Sequence, residues 1–288
     1  MIADTGPPGD FDPTPDPGVY YDVPAEQYHR WDAMSNSWLK HIADASLKHF
    51  KYAREHPPGQ TDAMLRGTVL HALCLEPLDF AARFALEPEV DKRTKLGRER
   101  LAQFADEVGG RTVISQSLYD SCRPMARALM AHPIARELLA DGTPEVSVVW
   151  DDADTGIRCK ARYDYLLPPM LGDVKSTKSA EPFQFSRACN TYGYHRQGAF
   201  YLDGARAVGL DVDMFAFAAV EVAPPHDVIV YAADKPMLLA GRAQYKRALF
   251  MYKYALETHQ WPGRNEHDVE PISIPAYVLR DEGIEVEQ

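Results

Sequence analysis

The sequence predicts an α/β domain built around one mixed β-sheet, with helices flanking the sheet and filling the N-terminal half. Three observations carry this. Between residues 35 and 140 apolar residues recur at helical spacing behind Ser and Thr caps. From Glu145 the pattern switches to EVSVVWDD, IRCKARYDYLL and MLGDVKS, rich in β-branched and aromatic residues and separated by ADTG and Pro168-Pro169. A helical stretch then separates these runs from two further strand-like ones.

In chain order, residues 1–18 (MIADTGPPGDFDPTPDPG) are dominated by Pro, Gly and Asp and cannot offset the cost of ordering, so a disordered acidic tail is expected. Ser35 opens a helix over WLKHIADASLKHFKYAREH, which Pro57-Pro58-Gly59 ends. Thr61 opens a second through MLRGTVLHALCLE to Pro77. Further helices are expected at about 92–107, 115–130 and 133–140. The three strand-like runs then form an antiparallel meander. A helix containing TYGYHRQGAFYLDGARAVG follows, then strands in DMFAFAAVEV and HDVIVYAAD, then a last helix at about 236–257. One domain over 19–264 and an acidic C-terminal segment over 265–288 account for the chain.

The 288 residues are 45% apolar and 25% charged, enough to bury a sizeable core. No run approaches the length of a membrane span, and the N-terminus lacks a basic and an apolar leader region, so a soluble, cytoplasmic protein is expected. Cys74, Cys122, Cys159 and Cys189 are scattered without a CxxC pair, which predicts reduced, packed thiols rather than a disulfide framework or a zinc site. The net charge of −11 would disfavour a polyanionic partner, but it sits at the ends. Residues 1–22 carry five Asp and no base, and residues 265–288 carry seven acids and one Arg, which leaves 30 acids and 30 bases between them. Those bases cluster: DKRTKLGRER (91–100) holds five, and Lys92, Arg93 and Lys95 there are candidates for sequence-independent contact with a phosphate backbone. A solvated helix face is the alternative reading of that segment.

The chemistry gathers at LGDVKSTKSA (171–180). Asp173 and Lys175 are two apart on a strand, so both side chains share one face while Val174 points to the other. Asp164, near the end of the preceding strand, is brought beside Asp173 by the short turn. Two converging carboxylates repel, and a hard divalent cation such as Mg²⁺ relieves that repulsion. His71 lies four residues after Gly67 on one helical face, where the glycine would permit close backbone approach. Gln197 and Tyr201 are likewise four apart on one face of the helix after the meander. Each signal alone has a bland alternative, namely an exposed ion pair, a packed histidine or a helix flank.

Taken together, GxxxH, an acid closing a strand, D-x-K and Q-x-x-x-Y in this order resemble the RecB-like branch of the PD-(D/E)xK nuclease superfamily. The surrounding text (MSNSWLKHIADASLKHFKYAREH, GTVLHALCLEP, GDVKSTKSAEPF, YGYHRQGAFYLDG) more narrowly resembles the C-terminal nuclease domain of RecE, the exodeoxyribonuclease VIII family of phages and prophages, over roughly residues 28–262. The resemblance implies a PD-(D/E)xK core in which His71, Asp164, Asp173 and the Val174 carbonyl hold the metal and Lys175 is the catalytic lysine. Gln197 and Tyr201 would contact the scissile-strand phosphate. Glu145 opens the first strand as a family acid does, with a solvated strand-edge residue as the alternative.

It further implies a Mg²⁺-dependent 5′→3′ exonuclease, with Mn²⁺ accepted, that resects duplex DNA ends to leave 3′ single strands for recombination. A ring-shaped homo-oligomer and a single-strand annealing partner belong to the same expectation. No cysteine follows Cys189, so the iron–sulfur cluster of some RecB-like nucleases is not expected. A structure-specific or single-strand endonuclease of the same superfamily, and a non-catalytic DNA-end-binding module, are the alternatives.

Overall fold

The computed structural model describes residues 13–284, apart from Pro58 and His267. Strand β1 (Gly18–Tyr20) and helix α1 (Ala25–Arg30) lead into α2 (Asn36–Asp44), α3 (Leu47–Glu55) and α4 (Asp62–Leu75). Next come α5 (Phe80–Arg83), β2 (Phe84–Leu86), α6 (Lys95–Glu107), β3 (Thr112–Ile114), α7 (Gln116–Ala131) and α8 (Pro133–Asp141). The second half holds β4 (Thr143–Asp151), β5 (Arg158–Leu167), β6 (Met170–Thr177), α9 (Pro182–Tyr192), α10 (Tyr194–Ala207), β7 (Met214–Glu221), β8 (Val228–Ala232), α11 (Lys235–Thr258) and α12 (Ala276–Asp281).

Ser35 and Thr61 cap their helices as expected, and Thr94 and Ser115, not singled out from the sequence, do the same for α6 and α7: each accepts a first-turn amide. The single helix expected after Ser35 is instead two. Ser46 adopts an extended conformation and caps α3 by accepting from the His49 amide, because a serine hydroxyl offers the backbone an alternative to continuing the helix. The helix expected after the meander is also two, broken at Gly193, whose φ of +74° only glycine adopts freely.

The main sheet has the order β1-β4-β5-β6-β7-β8. Its pairs are antiparallel except β6 with β7, whose parallel pairing requires the α9–α10 crossover. Two cores cover it. Phe215 and Phe217 of β7 point with Trp150 and Phe200 into the core built with α2, α3, α10 and α11, while Ala218 and Val220 point with Val69, Met125 and Leu129 into the one built with α4, α7 and α8. The helical N-terminal half therefore contributes to both layers. The mixed α/β architecture agrees with the expectation. The short elements β1, α5, β2, β3 and α12 and the separate helix α9 did not announce themselves by periodicity.

Of the expected disordered tail, residues 1–12 lie outside the described residues. Its end is tied down: the Pro15 carbonyl accepts from Arg158 Nη1 at 2.9 Å, and the Asp16 carbonyl from Tyr20 Oη at 2.6 Å. Among the described residues no helix is long and apolar enough to cross a membrane. All four cysteines are free and buried.

One feature of the sheet decides where a site can form. Strand β6 pairs with β7 over its full length, but with β5 only at Leu167–Met170, Leu166–Leu171 and Tyr165–Gly172. Past Gly172 the two hairpin strands part. Gly172 is required at the last rung because a Cβ there would fall inside the ring of Tyr165, itself fully buried. Gly172→Ala should therefore cost about 1–3 kcal/mol of stability through overpacking, read as a lowered denaturant midpoint. An unchanged midpoint would show that Tyr165 can move aside.

Candidate active site

Where β5 and β6 separate, side chains take the place of the ladder. Asp164 is the residue after the last paired position on β5, and its Oδ2 accepts the Val174 amide at 2.7 Å. The Val174 carbonyl meets His71 Nε2 at 2.9 Å, and the same nitrogen lies 3.4 Å from Asp164 Oδ2. His71 comes from α4, in one helical layer. From the other layer, Gln197 on α10 donates to Asp173 Oδ1 at 2.5 Å. The Lys175 ammonium forms an ion pair with Asp173 Oδ2 and lies 4.6 Å from the centre of the Tyr194 ring. Strand alternation puts Asp173 and Lys175 together on this side, as expected, while Val174 packs into the opposite core.

His71, Asp164, Asp173, the Val174 carbonyl, Lys175 and Gln197 thus converge. Tyr201 stands one turn behind Gln197 and packs its ring 5.3 Å from that of Tyr163, whose hydroxyl donates to the Tyr201 carbonyl at 3.1 Å. Burial pushes the Tyr201 hydroxyl well above its ordinary pKa. Tyr194 was not singled out from the sequence. Its signal was the YGY triplet, in which a glycine break turns two tyrosines out of helical register.

Three expectations need correction or refinement. A Cβ on Gly67 would meet nothing within 4 Å, so this glycine permits no close approach, and His71 reaches the site without its help. Glu145 is not a solvated strand-edge residue. Its side chain is 16% exposed and ion-paired with Arg162, which also donates to the Val23 carbonyl at 2.7 Å. The backbone of Glu145 is left-handed (φ +53°) where the β4–β5 ladder skips it, between the pairs Pro144–Tyr165 and Val146–Tyr163. That places it opposite Asp164, with its carboxylate already engaged. Lys92, Arg93 and Lys95 are exposed, but α6 begins only at Lys95, so Lys92 and Arg93 precede the helix expected from about residue 92. Lys92 is bound to Glu87 at 2.8 Å and Lys95 faces Glu99 at 3.7 Å, so part of their charge is locally neutralised.

The electrostatics follow from burying two carboxylates side by side. Asp173 is 2% exposed and Asp164 9%. Desolvation, reinforced by Asp173, pushes the Asp164 carboxyl up to about 7 against the opposing pull of His71 and Lys175. Burial would pull the His71 imidazole down, but Asp164, Asp173 and the bond to Val174 outweigh it and raise its pKa. For Lys175, too, burial is outweighed by Asp173 and Asp164, and the pKa is raised.

As a donor set for a hard divalent cation, two carboxylates, a carbonyl and an imidazole are suitable chemistry. A further observation fits. Asp173 Oδ2 is buried and accepts no hydrogen bond of acceptable geometry, its one contact being the Lys175 ion pair. Among the described residues no three His, Cys, Asp or Glu side chains already surround a common point. The reason is visible: His71 Nε2 is spent on the Val174 carbonyl, so two of the donor atoms rest on each other.

A family model described as "PDDEXK-like domain of unknown function (DUF3799)" matches residues 35–269, which include every residue of this cluster. Among solved structures, a protein from Eubacterium rectale described provisionally as an exonuclease aligns over 91% of this chain and 98% of its own, with a TM-score of 0.58 and 13% identity. That likeness is one of fold. A second structure, SSO0001, aligns over 71% of this chain and 91% of its own with a TM-score of 0.30 and 12% identity, too distant to support any argument. No curated protein matches the sequence.

Two outcomes check this geometry. The Asp164 carboxyl is raised from an ordinary 3.8 to about 7, so folding favours its protonated form. That stabilisation is complete below the unfolded-state pKa and is lost as pH rises through about 7. The raised His71 pKa works in the same direction. In EDTA, Asp164→Asn should therefore gain stability relative to the native protein as pH goes from 5 to 8, and a pH-independent difference in denaturation would contradict the burial argument. Gly67→Ala should be neutral or stabilising by up to about 1 kcal/mol, since alanine is the better helix former and the space is open.

Proposed function

The chain belongs to the family of PDDEXK-like domains of unknown function, and from that membership we propose that it is a metal-dependent DNA nuclease. One observation carries the reading: Asp164 and Asp173, two buried carboxylates, converge with His71 and Lys175 at a break in the sheet. Burying such a pair is costly, and nothing in the core requires it. Asp164, Asp173, His71 and the Val174 carbonyl would hold Mg²⁺ or Mn²⁺. When bound, such an ion supplies Lewis-acid polarisation of the scissile phosphate and a more acidic water.

The protein's own groups take the remaining roles. Lys175, restrained between Asp173 and the Tyr194 ring, presents a cation that orients the attacking water or offsets charge growing on the phosphate. Gln197 fixes the orientation of Asp173, and Tyr201, one turn on along α10, would contact the scissile-strand phosphate beside it. Glu145 serves Arg162 rather than the metal. Lys92, Arg93 and Lys95 would meet the DNA backbone without reading sequence.

We infer more narrowly a RecE-type 5′→3′ exonuclease that resects duplex ends to leave 3′ single strands. The order and context of the four sequence motifs support this, and the Eubacterium rectale protein bears a related description. A homo-oligomeric ring and a strand-annealing partner go with that type.

Linear duplex labelled at either 5′ or 3′ ends, incubated with Mg²⁺ or with EDTA, tests the proposal. Mononucleotides should leave the 5′ ends in Mg²⁺ alone, and closed circular duplex should survive. Cutting of the closed circle would replace the exonuclease reading with an endonuclease of the same fold. Asp173→Ala should abolish cleavage. Lys175→Ala should lower the rate by a factor on the order of 10²–10³ while metal binding by calorimetry persists. Loss of metal binding in Lys175→Ala would make the lysine a structural partner of Asp173 instead.

A further inference from the structure

In a continuous helix, residues two apart do not face each other. Tyr192 and Tyr194 do: their ring centres are 5.7 Å apart with planes inclined at 31°. The left-handed Gly193 between α9 and α10 turns the chain so that both rings fall on one side. Glycine is doubly required there, since a Cβ would also collide with the guanidinium of the buried Arg196.

The two rings occupy unequal positions. Tyr194 is half-buried, packs toward Phe185 and Phe217 at 6.2 and 6.0 Å, and presents its ring to the Lys175 ammonium. Tyr192 is 52% exposed. It follows Phe185 and Cys189 on one stripe of α9, at i, i+4 and i+7, and those two are buried where Tyr192 is not. A scattered surface aromatic needs no explanation. This one is different because its ring neighbour carries the lysine of the D-x-K pair, so a line of rings leads from that ammonium to solvent. An exposed aromatic face beside a phosphate-handling cation is the arrangement that holds unpaired bases, since every base has a π-face and stacking tolerates any sequence.

We propose that Tyr192, seated on Tyr194 by the Gly193 turn, is a stacking shelf for an unpaired nucleobase of the strand whose phosphate lies at Lys175. The proposal rests on the nuclease reading and adds to it a preference for frayed or single-stranded ends over paired ones. A paired terminal base is held on the duplex axis by its partner and its stack, so reaching the ring costs unpairing. An unpaired one can swing onto Tyr192.

The test separates binding from cleavage. Duplex carrying 2-aminopurine at a mismatched 5′ terminus is titrated with protein in EDTA, and both fluorescence and affinity are read. The wild type should quench the probe and bind the mismatched end more tightly than a blunt one. Tyr192→Leu should lose the quenching, erase the preference and weaken binding to the mismatched end by about 5- to 100-fold, the equivalent of one base–aromatic stack. Tyr192→Trp should restore all three, which excludes misfolding as the cause. Wild-type quenching and affinity in Tyr192→Leu would overturn the shelf while leaving the nuclease reading intact. A wild-type protein that neither quenches the probe nor prefers the mismatched end would overturn the shelf as well, and cleavage in Mg²⁺ tests the nuclease reading separately.

Discussion

The bond from the Val174 amide to the Asp164 carboxylate is what the rest of the site depends on. In a complete hairpin both backbone groups of Val174, which face β5, would be used by that strand. Here the ladder ends at Tyr165–Gly172, the amide goes to Asp164, and the carbonyl is left for His71. The gap is one-sided. On its other edge β6 is paired with β7 from Met170 to Thr177, so opening toward β5 does not loosen the strand that carries Asp173 and Lys175. A break in an otherwise continuous sheet lets a side chain from each helical layer, His71 from α4 and Gln197 from α10, reach the same few ångströms of strand.

That convergence is costly for folding. Two carboxylates are withdrawn from water, and their compensation comes from a lysine and a histidine that are themselves buried. Removing either cation leaves an unpaired buried charge, whereas replacing the whole group by apolar residues of similar volume is the change a stability argument alone would favour. The network is therefore evidence of function rather than of stabilisation. The raised Asp164 pKa expresses the same cost: burial, reinforced by Asp173, outweighs the pull of His71 and Lys175.

Much of this was legible in the sequence, and the failures are instructive. Period-two alternation sufficed to put Asp173 and Lys175 on one face, and the short turn sufficed to bring Asp164 beside them. The Ser and Thr caps located the helix starts. Helical spacing could not say that Ser46 and Gly193 divide what read as continuous helices, because the apolar pattern runs on through both breaks. Nor could spacing tell why Gly67 is glycine, since the open space beside it is a tertiary fact. Glu145 is a different case: its left-handed backbone and its pairing with Arg162, which overturn the solvated alternative, depend on a skipped rung that no local signal marks.

The charges around the opening also give the site a direction. The cavity on the Glu145 side is lined by Asp22, Glu26, Glu76, Asp79 and Glu145 against Arg83, Arg111 and Arg162. Those arginines are occupied: Arg83 by Glu76, Arg162 by Glu145, and Arg111 by the carbonyls of Val108 and Glu107. The five acids therefore outnumber the three engaged arginines on this side. On the opposite side Lys175 is backed by aromatic rings rather than by further acids, and the exposed ring of Tyr192 lies beyond them. Acids thus line the cavity beside Glu145, while aromatic rings stand beyond Lys175. The asymmetry exists because the D-x-K strand is followed by a helix pair broken at glycine, while the strand before it is pinned by an arginine to the chain's own N-terminal segment.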